Sequence, residues 1–185
     1  CPDRAVLLYP DKIKKLLDSM RQVFFSVFDF YHEKLSTAGQ PGCTWPGIVS
    51  TKKWHVPSND FSCMISNEMF REFFLPGIVS ECRQMDASIY HLDGPNALRH
   101  LDSLLEIPEL NAIQWVYGAG RGRATDWIPV YQRCQAAGKG IQLLIEPDEL
   151  ETIIEHLRPE GVWLAIYVPH ADAAAEMLAR VAYWR

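Results

Sequence analysis

AIQWVYGAGRGRATDWIPVYQRCQAAGKGIQLLI, residues 112–145, contains a complete strand–helix–strand unit. Ala112 to Tyr117 is a short apolar run with β-branched and aromatic members, which predicts a strand. Asp126 to Ala137 has helical spacing and is stopped by Gly138. Ile141 to Ile145 is a second strand. The same order extends in both directions. Upstream, Ala87 to Leu92 reads as a strand, and Gly94-Pro95 opens a helix carrying Leu98, Leu101, Leu104 and Leu105. Downstream, a helix after Pro147 carries Leu150, Ile153, Ile154 and Leu157. Gly161 to Val168 is then a strand, and Ala171 to Tyr183 a helix. Strand followed by helix, several times over, dictates right-handed βαβ units and a parallel sheet, so the fold class is α/β. The last strands are near-continuous apolar runs, as expected where helices cover a sheet.

Before these units, apolar residues at 13, 16, 17, 20, 23, 24, 27, 28 and 31 recur in steps of three and four. They predict an amphipathic helix of about 25 residues, with Pro10 and Asp11 in its first turn. Residues 43–62 read as strands joined by loops. Ser66 is placed to cap a helix that Pro76 kinks. A full (β/α)8 barrel takes about 250 residues, so 185 residues suit one domain forming the later half or more of a barrel, or an open doubly wound sheet.

Composition narrows the function. There are 18 basic and 23 acidic side chains, a formal charge of −5, and 48% apolar residues. This is ordinary for a globular protein and a poor footprint for nucleic acid. No apolar run is long enough for a membrane helix. Five scattered cysteines without a CxxC pair, and no leader at the start, lead to the expectation of a cytoplasmic protein.

Ligands in parallel α/β folds bind beyond the carboxyl ends of the strands. His91 and Asp93 stand two apart at such an end, so both side chains point the same way. An imidazole beside a carboxylate suits a metal site or an acid/base pair. The plainer alternative is Asp93 as a helix cap and His91 bonded within the core. Trp54, His55 and Asp60 form a second polar island that could line a pocket or be a solvated turn. Gly118 to Arg123 could hold an anion through Arg121 or be a simple loop. Glu146 ends a further strand as a candidate metal ligand, or favours the next helix's N-terminus. Register leaves open whether Gln114 or Trp115 faces inward, and both are candidate substrate contacts. His100 is expected on a helix surface, and His170 is ambiguous.

Phe61 to Pro76, with Ser66-Asn67-Glu68-Met69-Phe70 at its centre, resembles the uroporphyrinogen decarboxylase superfamily, whose Ser-Pro-Glu-x-Phe helix start has proline where this chain has Asn67. Tyr90 to Asp102 and Ile113 to Gly120 are similar to a divergent bacterial branch of it. The resemblance runs from about Pro10 onward and implies a (β/α)8 barrel. The superfamily includes cofactor-independent porphyrinogen decarboxylases and zinc-dependent methyltransferases served by a corrinoid protein. In the methyltransferases a His-x-Cys element and a distant cysteine bind zinc. Here His91-Leu92-Asp93 occupies the matching place, and no cysteine ends a later strand. The implied site is therefore a harder N/O set of His91, Asp93 and Glu146, for zinc or another divalent metal. Corrinoid-linked methyl transfer is the leading expectation, with His91, Asp93 and Asp60 as catalytic groups and a corrinoid-protein or small-molecule partner. Decarboxylation of a tetrapyrrole, with a pocket acid protonating a pyrrole, is the alternative. A third is a non-catalytic fragment that assembles with itself or a partner through open strand edges.

Overall fold

The computed structural model describes residue 6 and residues 8–185. Helix α1 (Pro10–Thr37) is 28 residues long, with Pro10 in its first turn and Asp11 favourably placed at its positive end. It leads into an antiparallel hairpin of β1 (Gly42–Cys43) and β2 (Val49–Ser50). The parallel sheet follows: β3 (Trp54–His55), β4 (Ala87–Asp93), β5 (Ala112–Val116), β6 (Gly140–Ile145) and β7 (Val162–Ile166), side by side in chain order. Among the described residues β3 and β7 are its outer strands.

Sequential order has a geometric consequence. Right-handed crossovers between successive neighbours carry every helix to the same face. Burial agrees. Tyr90, Leu92, Ile113, Trp115, Ile141, Leu143 and Ile145 are buried under the helices, and each such position stabilises by roughly 1.5–3 kcal/mol. Alternate residues turn to the other face, where Leu144 is 53% exposed. The crossover helices thus lie on one side of the sheet, whereas on the other the β1–β2 hairpin reaches Trp54 and Gln114.

The crossovers differ in detail from regular helices. Between β3 and β4 a 3₁₀ turn (Asp60–Met64) precedes α2 (Asn67–Met69), a π-helical turn (Phe70–Phe74) and α3 (Leu75–Arg83). Ser66 accepts from Met69 N–H at 3.2 Å, as expected of the cap. Leu75 N–H reaches back five residues to Phe70 O, so the expected disturbance at Pro76 takes the form of a π turn just ahead of it. The remaining helices are α4 (Leu101–Leu105), α5 (Ile128–Ala136), α6 (Leu150–His156) and α7 (Ala171–Val181). Each of α4, α5 and α6 is entered through a 3₁₀ turn.

Buried polar groups tie this layer together. His100 is buried rather than on the surface: Nε2 donates to Ser62 O at 2.9 Å and the ring stacks on Phe70. Burial lowers its pKa. Lys139 spends its ammonium on Ile107 O and Leu110 O, at 2.6 and 2.7 Å. Glu149 accepts from Thr125 and from Glu146 N–H. His170 caps α7 by accepting from Ala173 N–H. Among the described residues no helix is long and apolar enough to cross a membrane.

Candidate functional site

Strand parity builds the site. His55 pairs with Ser88 and His91 with Gln114, which in turn pairs with Gln142 and then Trp163. On β4, residues 87, 89, 91 and 93 therefore face away from the helices. Gly94, at φ 81°, turns the chain sharply after Asp93, and its N–H donates to Val116 O at 2.8 Å. β3 leads through Pro57 and Ser58 alongside β4, where His91 N–H donates to Pro57 O at 2.9 Å. This lays Asp60 beside the end of β4. One ligand atom each from Asp60, His91 and Asp93 lie within 4.8 Å of one another. The pairing of His91 with Asp93 is as expected, and Asp60 joins them.

His91 is held on its other side. Its Nδ1 lies 2.6 Å from Gln114 Oε1. Trp45, from the β1–β2 hairpin, donates its indole N–H to the same oxygen at 3.3 Å and meets the His91 ring edge-on, with centroids 5.7 Å apart. An indole N–H only donates, so the Gln114 atom between them is the acceptor oxygen and His91 Nδ1 carries a hydrogen. Nε2 is then the lone-pair nitrogen available to a ligand. Asp60 is oriented by Ser58, whose hydroxyl donates to Oδ1 at 2.9 Å. Two carboxylates and one imidazole form a hard N/O donor set.

Beside this cluster, on the helix-free face, lies a cleft of about 370 Å³ lined by Trp45, Gln114, Gln142, Leu144, Ala165 and Tyr167. Among the described residues no cation contributes to its lining. Trp45, Gln142 and Tyr167 were not marked by the sequence. Gln142 follows from the register once Gln114 is placed, whereas Trp45 arrives through a hairpin that no local pattern connects to β4.

Several expected contacts lie elsewhere. Trp115 borders the cleft, but its parity is opposite to that of Gln114 and its ring is buried under the helices against Trp127, with centroids 5.1 Å apart. Trp54 is buried, its indole N–H directed at Gly42 O. His55 faces α1 and α3 rather than Asp60: it packs on Phe24 and Phe28 and lies 3.9 Å from Glu81. Burial pulls His55 down to about 4 and pushes Glu81 up to about 7, with Arg21 opposing the rise. Both are thus held neutral between these values. Glu146 is exposed at the end of β6 and is not part of the cluster. Arg121 is exposed in a loop where Gly118, Gly120 and Gly122 all have positive φ. Arg123 is committed to Asp148 and Glu149. Among the described residues no cysteine joins the cluster: Cys82 and Cys134 are buried and Cys43 is exposed.

Comparison with protein-family models, curated proteins and solved structures gives no match.

Proposed function

We infer that Asp60, His91 and Asp93 bind a divalent cation and that this site serves methyl transfer linked to a corrinoid protein. The observation that carries the reading is the convergence of these three ligand atoms beyond the strand ends, with His91 Nδ1 engaged by Gln114. Its wider frame is an arc of a (β/α)8 barrel, supported by five parallel strands in chain order with helices on one face. The methyl-transfer part is supported by the sequence resemblance at Ser66–Phe70 and Tyr90–Asp102.

Two carboxylates and one imidazole suit manganese, iron(II) or zinc, and do not offer the thiolates that copper(I) or an iron–sulfur cluster would take. When bound, the cation supplies positive charge that lowers the pKa of a coordinated acceptor. Asp60 and Asp93 offset that charge. Gln114 fixes the ring and tautomer of His91, in the manner of outer-shell partners of metal ligands. Trp45, Leu144 and Tyr167 offer an apolar wall to an acceptor, and Gln142 an amide. Decarboxylation of a polycarboxylate finds less support, because the cleft lining holds no cation and Arg123 is already paired.

Metal titration by calorimetry, with metal analysis of the purified protein, tests the site. One divalent cation per chain is expected, lost in His91→Ala and weakened about 10–100-fold in Gln114→Leu. Equal, negligible metal in the wild type and His91→Ala removes the metal reading. Metal-dependent transfer of a methyl group from methylcobalamin to a thiol, followed by the corrinoid absorbance, tests the reaction. A loaded protein that leaves methylcobalamin unchanged with every thiol tried counts against methyl transfer.

A further inference from the structure

We propose that α1 is the face through which two copies of this chain associate, as an antiparallel helix pair. The helix has two apolar rows. One packs on its own domain: Lys14 lies over the Phe73 ring, Arg21 lies against Gly77, and Phe24 and Phe28 hold His55. The other consists of Leu16, Met20, Val23, Val27 and Phe30, in alternating steps of four and three, and these are between 51% and 64% exposed. An apolar residue every 3.5 positions is the seam of a coiled coil, and its natural cover is another helix.

The flanks of the seam select the occupant. On one side Leu17 and Phe24 turn to the domain. On the other stand Lys12, Ser19, Ser26 and Glu33 at seven-residue intervals, all exposed. Among the described residues neither Lys12 nor Glu33 is engaged in an ion pair. This row is complementary to its own reversal. With a two-fold axis between Arg21 and Gln22, Lys12 of each copy meets Glu33 of the other, and Ser19 meets Ser26. The same register sets Ile13 against Phe30, Leu16 against Val27 and Met20 against Val23. A closed two-fold contact of this kind is self-complementary, as isologous dimers require.

The extent of the contact sets its strength. At 1.5 Å per residue α1 is about 42 Å long, and a strip about 10 Å wide covers on the order of 400 Å² per chain. That is about 800 Å² in total, below the range of stable specific interfaces. The contact is therefore a weak and transient one, to be sought at roughly tens to hundreds of micromolar chain.

Sedimentation velocity over that concentration range tests the proposal, with circular dichroism and thermal melting as controls for folding. A monomer–dimer equilibrium is expected for the wild type, and a monomer at every concentration for Val23→Glu with an unchanged melt. Lys12→Glu and Glu33→Lys should each weaken the dimer about tenfold, and the double exchange should restore it. In a background with Cys1→Ser, Cys43→Ser and Cys63→Ser, Ser19→Cys mixed with Ser26→Cys should cross-link on oxidation, while neither does so alone. A wild-type monomer throughout, a dimer indifferent to Val23→Glu, a double exchange that does not restore, or cross-linking of Ser19→Cys with itself would each overturn the proposal.

Discussion

Gln114 Oε1 receives two hydrogens, from His91 and Trp45, and this one atom explains why the imidazole presents Nε2 outward. Residue-scale chemistry on the other face of the sheet is of a different kind. Glu81 and His55 lie together under α1, where burial disfavours either charge. The Glu81 carboxyl titrates near 4.5 when unfolded and about 7 when folded. The fold therefore favours its protonated form, so its stabilising contribution is complete below pH 4.5 and is lost as pH rises to about 7. His55, lowered from 6.5 to about 4, has the opposite sign: its contribution is complete above 6.5 and lost as pH falls to about 4. Comparing wild type with Glu81→Gln cancels the histidine. Denaturant unfolding at several pH values should show the variant gaining on wild type from pH 4.5 to 7, by on the order of 2 kcal/mol. A constant difference across that window would show that Glu81 does not titrate as the buried geometry requires.

At the scale of elements, local signals and tertiary placement part company. The cap at Ser66 was legible because a hydroxyl three residues before a free N–H needs nothing distant. Ser66→Ala should cost about 1 kcal/mol in chemical denaturation, whereas Ser66→Asp should retain most of the stability. The strands and the His91–Asp93 pair were equally legible, since a period of two is written into the chain itself. What could not be read was which face each period belongs to. Gln114 and Trp115 are both compatible with a strand, and only pairing with His91 and Leu92 assigns the glutamine to the cleft and the indole to the core. The face taken by His55 was hidden for the same reason: one step along β3 exchanges the sides. His100 looked like a surface residue because its partner, the Ser62 carbonyl, lies across the crossover.

Across the whole molecule, the decisive property is a parallel sheet with helices on one side. Adjacent residues of β6 should then respond oppositely to the same change. Leu143→Glu places a carboxylate within the buried layer and should abolish cooperative folding. Leu144→Glu lies on the helix-free face and should alter stability by no more than about 0.5 kcal/mol. Thermal melts of the two variants side by side test this, and equal loss in both would mean that the second face is also covered.

The chain order of the strands also assigns separate duties to odd and even positions. On β4 the odd positions, and on β5 and β6 the even ones, face away from the helices. Gln114 and Gln142 are nevertheless buried there, and a Cβ at Gly140 would meet Gly161 O at 2.8 Å. Only exposed members such as Leu144 are thus released from holding the molecule together. Saturation mutagenesis scored for abundance should tolerate change at Leu144 and penalise it at Leu143 and Ile145 on either side. A laboratory selection for new ligands could then randomise Leu144 and Tyr167, which are exposed beside the cleft, while leaving the buried layer untouched.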